Sequence, residues 1–245
     1  MQQAFVLHRW PYQEHGLLID LLLSNDTRIR AISKYARSRR SKIRGSFEPF
    51  QTLDLELIGR GDLKVVRTVE VTQRFSLAGD RVYSGLYVNE ITQRLLREHI
   101  EAEGVYGAYA QTLSLLADGV DPHFVLRRFE WQLLDALDLL DSFTHEARAG
   151  DPIDPERNYT YVPGTGFLEV APGQRESNAL AGESILKMAQ FTVDDPLVMR
   201  QFRSILRRAL VPHLGDKPLK SRELLLASRA TQSRILEEKD ASDTR

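Results

Sequence analysis

The chain has 245 residues, 42% hydrophobic and 27% charged, enough apolar material for two compact domains or one large one with a sizeable core. It holds no cysteine, which excludes disulfides and any Cys-ligated zinc, and no apolar run approaches the ~20 residues of a membrane helix. The net charge of −1 conceals a split: residues 1–78 carry 13 Lys/Arg against 8 Asp/Glu, and residues 79–245 carry 20 against 26. A field attractive to a polyanion is therefore concentrated in the first third.

The opening MQQAFVLHRWPYQEHG has no basic start followed by a long apolar stretch, so it does not read as a secretory signal, and a cytoplasmic location is expected. AFVLHRW, GLLIDLLL, RIRAISKYA, FQTLDLELIG and LKVVRTVEVT read as five short strands, separated by QEH, SNDT, a basic run and the turn GRGD at 59–62. RIRAIS and LDLELI alternate polar with apolar, as strands with one wet face do. Five strands in this length predict a small barrel over residues 1–78. An OB-fold and an SH3-like barrel both fit the count.

From about residue 81 the apolar period becomes helical. Val88, Ile91 and Leu95 form one stripe, Phe129, Leu133, Leu137 and Leu140 a second, and Phe202, Ile205, Leu206, Ala209 and Leu210 a third. Asp121-Pro122 and Asp194-Asp195 read as helix starts, Leu214-Gly215 as a helix end, and Pro218 as the opening of another helix. A mostly helical region is thus expected over 79–230, interrupted at 142–177 by an irregular insertion containing Pro152, Pro155, Pro163 and Pro172. Within it, YTYV and GFLEV around PGTG suit a small hairpin. Residues 231–245 read as a polar, frayed end. The chain is thereby read as α+β and multidomain.

Residues 28–44, RIRAISKYARSRRSKIR, hold eight Lys or Arg and no acid. As a strand, Arg28, Arg30 and Lys34 share a face, because side chains alternate. Arg37, Arg39, Arg40, Lys42 and Arg44 follow on what reads as a mobile connection. Tyr35 lies among them with a ring suited to base stacking. Arg60, Lys64 and Arg67 on the next hairpin extend the same surface. A one-signed segment of this length points to a phosphate backbone rather than to solubility alone, which mixed charges serve equally well. Charge by itself does not choose DNA over RNA, or one strand over two.

At this point the segments can be compared with a family. AFVLHRWPYQEHGLLIDLLL, SKYARSRRSKIRGSFEPF, YSGLYVNEITQRLL, LRRFEWQLLDALD, GFLE and LGDKPLKSREL appear in the order found in bacterial RecO, and the chain resembles that family over about residues 3–226. The resemblance implies an N-terminal OB-fold, a helical C-terminal domain and a DNA repair and recombination role without catalysis. It implies binding to single- and double-stranded DNA and annealing of complementary strands. It also implies a contact with the acidic C-terminal tail of single-stranded DNA-binding protein, and loading of RecA together with RecR. Nucleoid association and the absence of a cofactor come with it.

Two departures stand out. Many members show Lys-Gly-Ala-Arg where this chain has Lys34-Tyr35-Ala36-Arg37, so Tyr35 stiffens the loop and supplies a ring. Some members carry a four-cysteine zinc site, which this chain lacks. His145 and Glu146 are at most a remnant of it, and the chain is read as a zinc-free branch.

Arg127 and Arg128, just before Phe129, either decorate a core helix or anchor an acidic peptide beside an apolar pocket. Arg203 and Arg207, one turn apart, would join that anchor. Lys217, Lys220 and Arg222 form a further basic patch. No histidine pair has metal-binding helical spacing, no HExxH occurs, and no GxxxxGK[ST] is present. An OB-fold-containing nuclease and an RNA-binding adaptor remain the alternative readings.

Overall fold

The computed structural model describes residues 1–171, 173–174 and 176–243; of residues 231–243 only the side chains of 231 and 233 are described. Pro172, one of the four prolines of the insertion, lies outside the described residues.

Strands β1 (Gln2–Tyr12), β2 (Gly16–Leu23), β3 (Arg28–Ser33), β4 (Gln51–Ile58) and β5 (Lys64–Arg74) fall on the five segments with strand patterning. They close into a barrel in the order β1-β2-β3-β5-β4, with only β3 and β5 parallel. That closed five-stranded order is the OB-fold, and it decides between the two barrels that strand count left open. Its core holds Ala4, Val6, Leu17, Ile19, Leu21, Leu23, Ile29, Ala31, Leu53 and Leu55. The GRGD turn joins β4 to β5 as expected, with Gly59 at φ 111°, a left-handed conformation that glycine adopts without a Cβ clash.

A β-bulge interrupts β1 between Val6 and His8. Before it, Ala4 and Val6 point into the core. After it the parity reverses, and His8, Trp10 and Tyr12 point outward, opposite Asp20, Leu18 and Gly16. The carbonyls of Val6 and Leu7 at the bulge accept from the Asn89 amide at 3.4 and 3.2 Å, and Asn89 Oδ1 accepts from the Tyr109 hydroxyl at 2.5 Å. Asn89 and Tyr109 are buried, so this chain of bonds satisfies groups that water cannot reach.

The helices are α1 (Arg81–Leu95), α2 (Val105–Ala117), α3 (Pro122–Asp135), α4 (Gly182–Ala189), α5 (Pro196–Leu210) and α6 (Lys220–Asp243). The first apolar stripe is buried on α1 and the third on α5. Asp121 accepts from the His123 N–H at 3.0 Å, and Asp195 accepts from the Leu197 N–H at 2.7 Å ahead of Pro196, so both predicted helix starts are observed. The second stripe extends too far. The helix stops at Asp135, a turn with Asp138 at φ 55° follows, and Leu137 and Leu140 are half-buried. The polar stretch from 231 continues α6 through Asp243, in keeping with its helix-forming Leu, Glu and Lys.

The chain forms two compact units, Met1–Leu126 with Asp216–Arg245, and Arg127–Gly215. The change of period at 78/79 is not where packing divides, because α1, α2 and α6 join the barrel. The outward Phe5 ring meets Tyr106 and Tyr109 of α2 at 5.0 and 4.7 Å. Asp26 accepts from the Gly104 and Tyr106 N–H groups at the start of α2. Glu90 of α1 accepts from the Lys220 N–H and from both the N–H and the hydroxyl of Ser221, capping α6. Arg94 donates to the Lys217 and Pro218 carbonyls.

The second unit is centred on Trp131, Phe143, Phe167, Phe191 and Phe202, whose rings lie 4.5–6.0 Å apart in successive pairs. The predicted hairpin is present as β6 (Asn158–Val162) and β7 (Gly166–Glu169), with β8 (Leu180–Ala181) on the other side of β6.

Candidate nucleic-acid interface

The basic segment divides at the end of β3. Lys34, Arg37, Arg39, Arg40, Lys42 and Arg44 are all exposed, and Tyr35 is 66% exposed. Among the described residues none of these six cations forms an ion pair. The single acid of the connection, Glu48, is held by both terminal nitrogens of Arg9, at 2.7 and 2.6 Å, and so does not neutralise them.

The connection is not a free loop. The N–H of Ser38 donates to Tyr35, that of Ser41 to Ser38 and that of Arg44 to Ser41, at 3.1, 3.1 and 3.3 Å. Three turns thus follow one another every three residues, sharing Ser38 and Ser41 as corners. Ala36 and Phe47 are buried in the barrel core and Ile43 packs against it, so the segment is pinned at both ends. The Arg37 N–H also donates to the His15 carbonyl at 2.9 Å, tying its start to the β1–β2 turn. The sequence predicts a mobile connection because its apolar residues are few. The structure shows that those few are the anchors, and the charges are displayed between them.

Arg28 and Arg30 belong to a different arrangement, and the expectation that they face a nucleic acid is corrected for Arg28. Its guanidinium is buried, donating to both oxygens of Asp20 at 3.1 and 2.9 Å and to the Leu96 carbonyl at 2.8 Å. Asp20 is fully buried and also accepts from Gln93 at 2.7 Å. Arg30 lies opposite Asp20 in the register, pairs with Glu98 at 3.1 Å and keeps 41% of its side chain exposed. Alternation puts Arg28 and Arg30 on one face, while Lys34 lies beyond the end of β3 in a turn. The segment after α1 then covers the Arg28 end, where Glu98 bridges to Arg28 and the His99 N–H donates to the Arg28 carbonyl at 2.8 Å.

On the hairpin, Arg60 is exposed at the turn and forms no ion pair among the described residues. Lys64 is half-buried with Nζ on the Gly59 carbonyl at 3.3 Å, and Arg67 pairs with Glu56 at 2.9 Å.

In the second unit Arg127 is likewise corrected. It is buried, with its guanidinium engaged by both carboxylate oxygens of Glu130 one turn on, so it is not available to a peptide. Arg128 is half-buried, while Arg203 and Arg207 are exposed on α5. Arg207 lines a groove of about 450 Å³ with Pro163, Ser204, Arg208, Val211 and Pro212. Arg208, which sequence reasoning missed, donates to the Tyr161 carbonyl at 2.7 Å and lies 5.3 Å from the Tyr161 ring centroid. Its only sequence signal is its place beside Arg207.

Glu146 accepts backbone N–H bonds from Arg148, Ala149 and Gly150. These bonds hold its carboxyl below the ordinary glutamate range, the Arg148 N–H foremost. The carboxylate closes a turn of the backbone.

Comparison with known proteins divides the chain near the change of period instead of between the two packed units. Residues 1–75 match the family model described as Recombination protein O N terminal, and residues 77–223 match Recombination protein O C terminal. The chain belongs to the RecO family. It is 38% identical over 226 residues to the DNA repair protein RecO of Idiomarina loihiensis, covering 91% of this chain and 96% of that one. It is 37% identical over 238 residues to the DNA repair protein RecO of Vibrio vulnificus, covering 97% of each. To that of Alteromonas mediterranea it is 36% identical, over 91% of this chain and 95% of the other. Among the described residues no helix is long and apolar enough to cross a membrane.

Proposed function

We propose that this RecO-family chain is a mediator of recombinational DNA repair that works by binding rather than by catalysis. It holds single- and double-stranded DNA by the phosphates, anneals complementary strands, and with RecR helps load RecA onto strands coated by single-stranded DNA-binding protein. The observation that carries this reading is the anchored turn series with its six exposed cations, which form no ion pair among the described residues. Cations without carboxylate partners are free to replace the counterions of a phosphate backbone. Neutralised strands repel each other less, so pairing is favoured without any bond being broken. The name carried by the relatives, DNA repair protein, agrees with this reading.

The acidic tail of single-stranded DNA-binding protein fits the second unit, at Arg207 and Arg208 in the groove that Val211 and the two prolines line, with Arg203 exposed one turn before Arg207 on α5. Gripping that tail raises the local concentration of DNA at the barrel, so two weak contacts act as one strong one. The buried carboxylates support a non-catalytic protein, since Asp20, Glu130 and Glu146 are each engaged by protein groups. Such a protein sits in the cytoplasm, with the nucleoid.

The test replaces Arg37, Arg39, Arg40 and Lys42 with Ala and measures single-strand binding and annealing across a salt series. If each of the four meets one phosphate, the slope of log affinity against log salt falls by about 3. Unchanged affinity with an unchanged slope would overturn the proposal. Competition with RNA of the same sequence, and a cleavage assay with divalent metal, decide against the adaptor and nuclease readings if DNA is preferred and stays intact.

A further inference from the structure

The outward face of β1–β3 carries flat rings where a barrel surface ordinarily carries polar chains. His8, Trp10 and Tyr12 follow one another at every second residue of β1 beyond the bulge. The imidazole and indole centroids lie 4.2 Å apart with 36° between the planes, and the Arg30 guanidinium lies 5.7 Å from the indole centroid. His8 is exposed, and Trp10 and Tyr12 are half-buried. Partial burial, with Arg9 adding to it against the pull of Asp20 and Glu90, holds the His8 imidazole below its ordinary value.

This face leads directly into the cationic turns. Trp10 pairs with Leu18 and Leu18 with Ile32, so one row crosses the three strands at the level of the indole. The next row along is Tyr12 and Gly16, and a Cβ on Gly16 would come within 3.4 Å of the Lys34 carbonyl. Lys34 is where the unpaired cations begin, and the Arg37 N–H is bonded to the β1–β2 turn that joins Tyr12 to Gly16. The charges near the rings differ from those of the turns. Arg28 and Arg30 are balanced there by Asp20 and Glu98, while the cations of the turns form no ion pair among the described residues. A nearly neutral aromatic face therefore adjoins a positive one.

That pairing of surfaces matches a nucleotide whose base is free, with a flat apolar ring and an anionic phosphate. In a duplex the bases are stacked inside, and only the phosphates are offered. We propose that the His8–Trp10–Tyr12 face receives an unpaired base of single-stranded DNA, with Trp10 as the main stacking residue. It is the feature by which this barrel distinguishes single from double strands. This rests on the DNA-binding reading above and adds to it a base contact that the phosphate-holding turns do not provide.

The test uses the full chain and two labelled probes, a thymidine oligonucleotide and a duplex of equal length, followed by fluorescence anisotropy. Trp10→Ala is expected to weaken single-strand binding about tenfold while duplex binding stays within about twofold, and Trp10→Phe is expected to keep most of the affinity. The chain has two tryptophans, so Trp131→Phe leaves Trp10 as the sole indole. Its emission should be quenched by the thymidine oligonucleotide and not by the duplex. That readout needs no loss of the ring and stands even where Trp10→Ala fails to fold. Unquenched Trp10 emission with the single strand bound, or an equal loss of both affinities in Trp10→Ala, would overturn the inference and leave the DNA-binding reading intact. Failure of the unaltered chain to bind either probe would overturn both.

Discussion

Two halves of one basic segment behave as opposites. In the strand half, Arg28 is enclosed, doubly bonded to a fully buried Asp20, and Arg30 faces Glu98. In the turn half, six cations are exposed and form no ion pair among the described residues. Net charge per residue treats the halves alike, yet an arginine that has a buried carboxylate supports the fold and one that lacks it is available to a ligand. The same contrast recurs in the second unit, where Arg127 is locked to Glu130 and Arg203 and Arg207 are open.

The contrast is broken most severely at Arg28. Arg28→Ala leaves Asp20 charged and buried with the Gln93 amide and only the longer 3.7 Å contact to Arg30 Nε, and should cost about 3 kcal/mol or more of stability in urea unfolding. Replacing both partners, Asp20→Leu with Arg28→Met, should recover most of that loss, because the cost lies in the orphaned charge. Arg127→Ala should destabilise by about 3 kcal/mol, since it takes from the buried Glu130 carboxylate the guanidinium that holds both its oxygens. A loss under 1 kcal/mol at either site, in thermal or urea melts, would mean that the enclosed arginines are not structural.

Acid offers a third test, through the capping of α6. Burial by itself pushes the Glu90 carboxyl up. The hydrogen bonds from Ser221 and Lys220, with the Arg94 guanidinium, more than reverse this and hold it below the ordinary glutamate value of 4.5. A carboxylate depressed on folding contributes stability that is complete above that ordinary value. The contribution is lost as pH falls through the folded value. Melting temperature followed from pH 7 to pH 3 should therefore drop more steeply for the unaltered chain than for Glu90→Gln, whose curve starts lower and is flatter. Parallel curves would contradict this. The smallest effect is expected in the turns: the Arg37, Arg39, Arg40 and Lys42 replacement should leave stability within about 0.5 kcal/mol, while its DNA binding changes. A large fall in its melting temperature would erase the distinction between the halves.

Much of the fold was legible. Five strands, the GRGD turn, the hairpin around PGTG and the starts at Asp121 and Asp195 were visible because each depends on neighbours within a few residues: alternation, turn chemistry, a capping oxygen. The second helical stripe misled because Leu137 and Leu140 keep the helical period after Asp135 while the backbone has already turned at Asp138. The site was half legible. The cationic turns stood out by composition, but the partners of Arg28 and Arg127 did not. Glu130 lies three residues from Arg127 and could have been noticed as a helical pair. Asp20 and Leu96 meet Arg28 only across strands and across 68 residues of chain.

The sequence by itself therefore determined the period of each element, the one-signed charge of residues 34–44 and the absence of thiol chemistry, since all three are local or compositional. Only the tertiary structure decided which cations are shielded, because shielding depends on what folds back over a strand. It alone decided where Trp10 points. Plain alternation along AFVLHRW would place that ring with Ala4 and Val6 in the core. A single bulge, stabilised by Asn89 from a helix more than 80 residues away, turns it to the outside beside the cations.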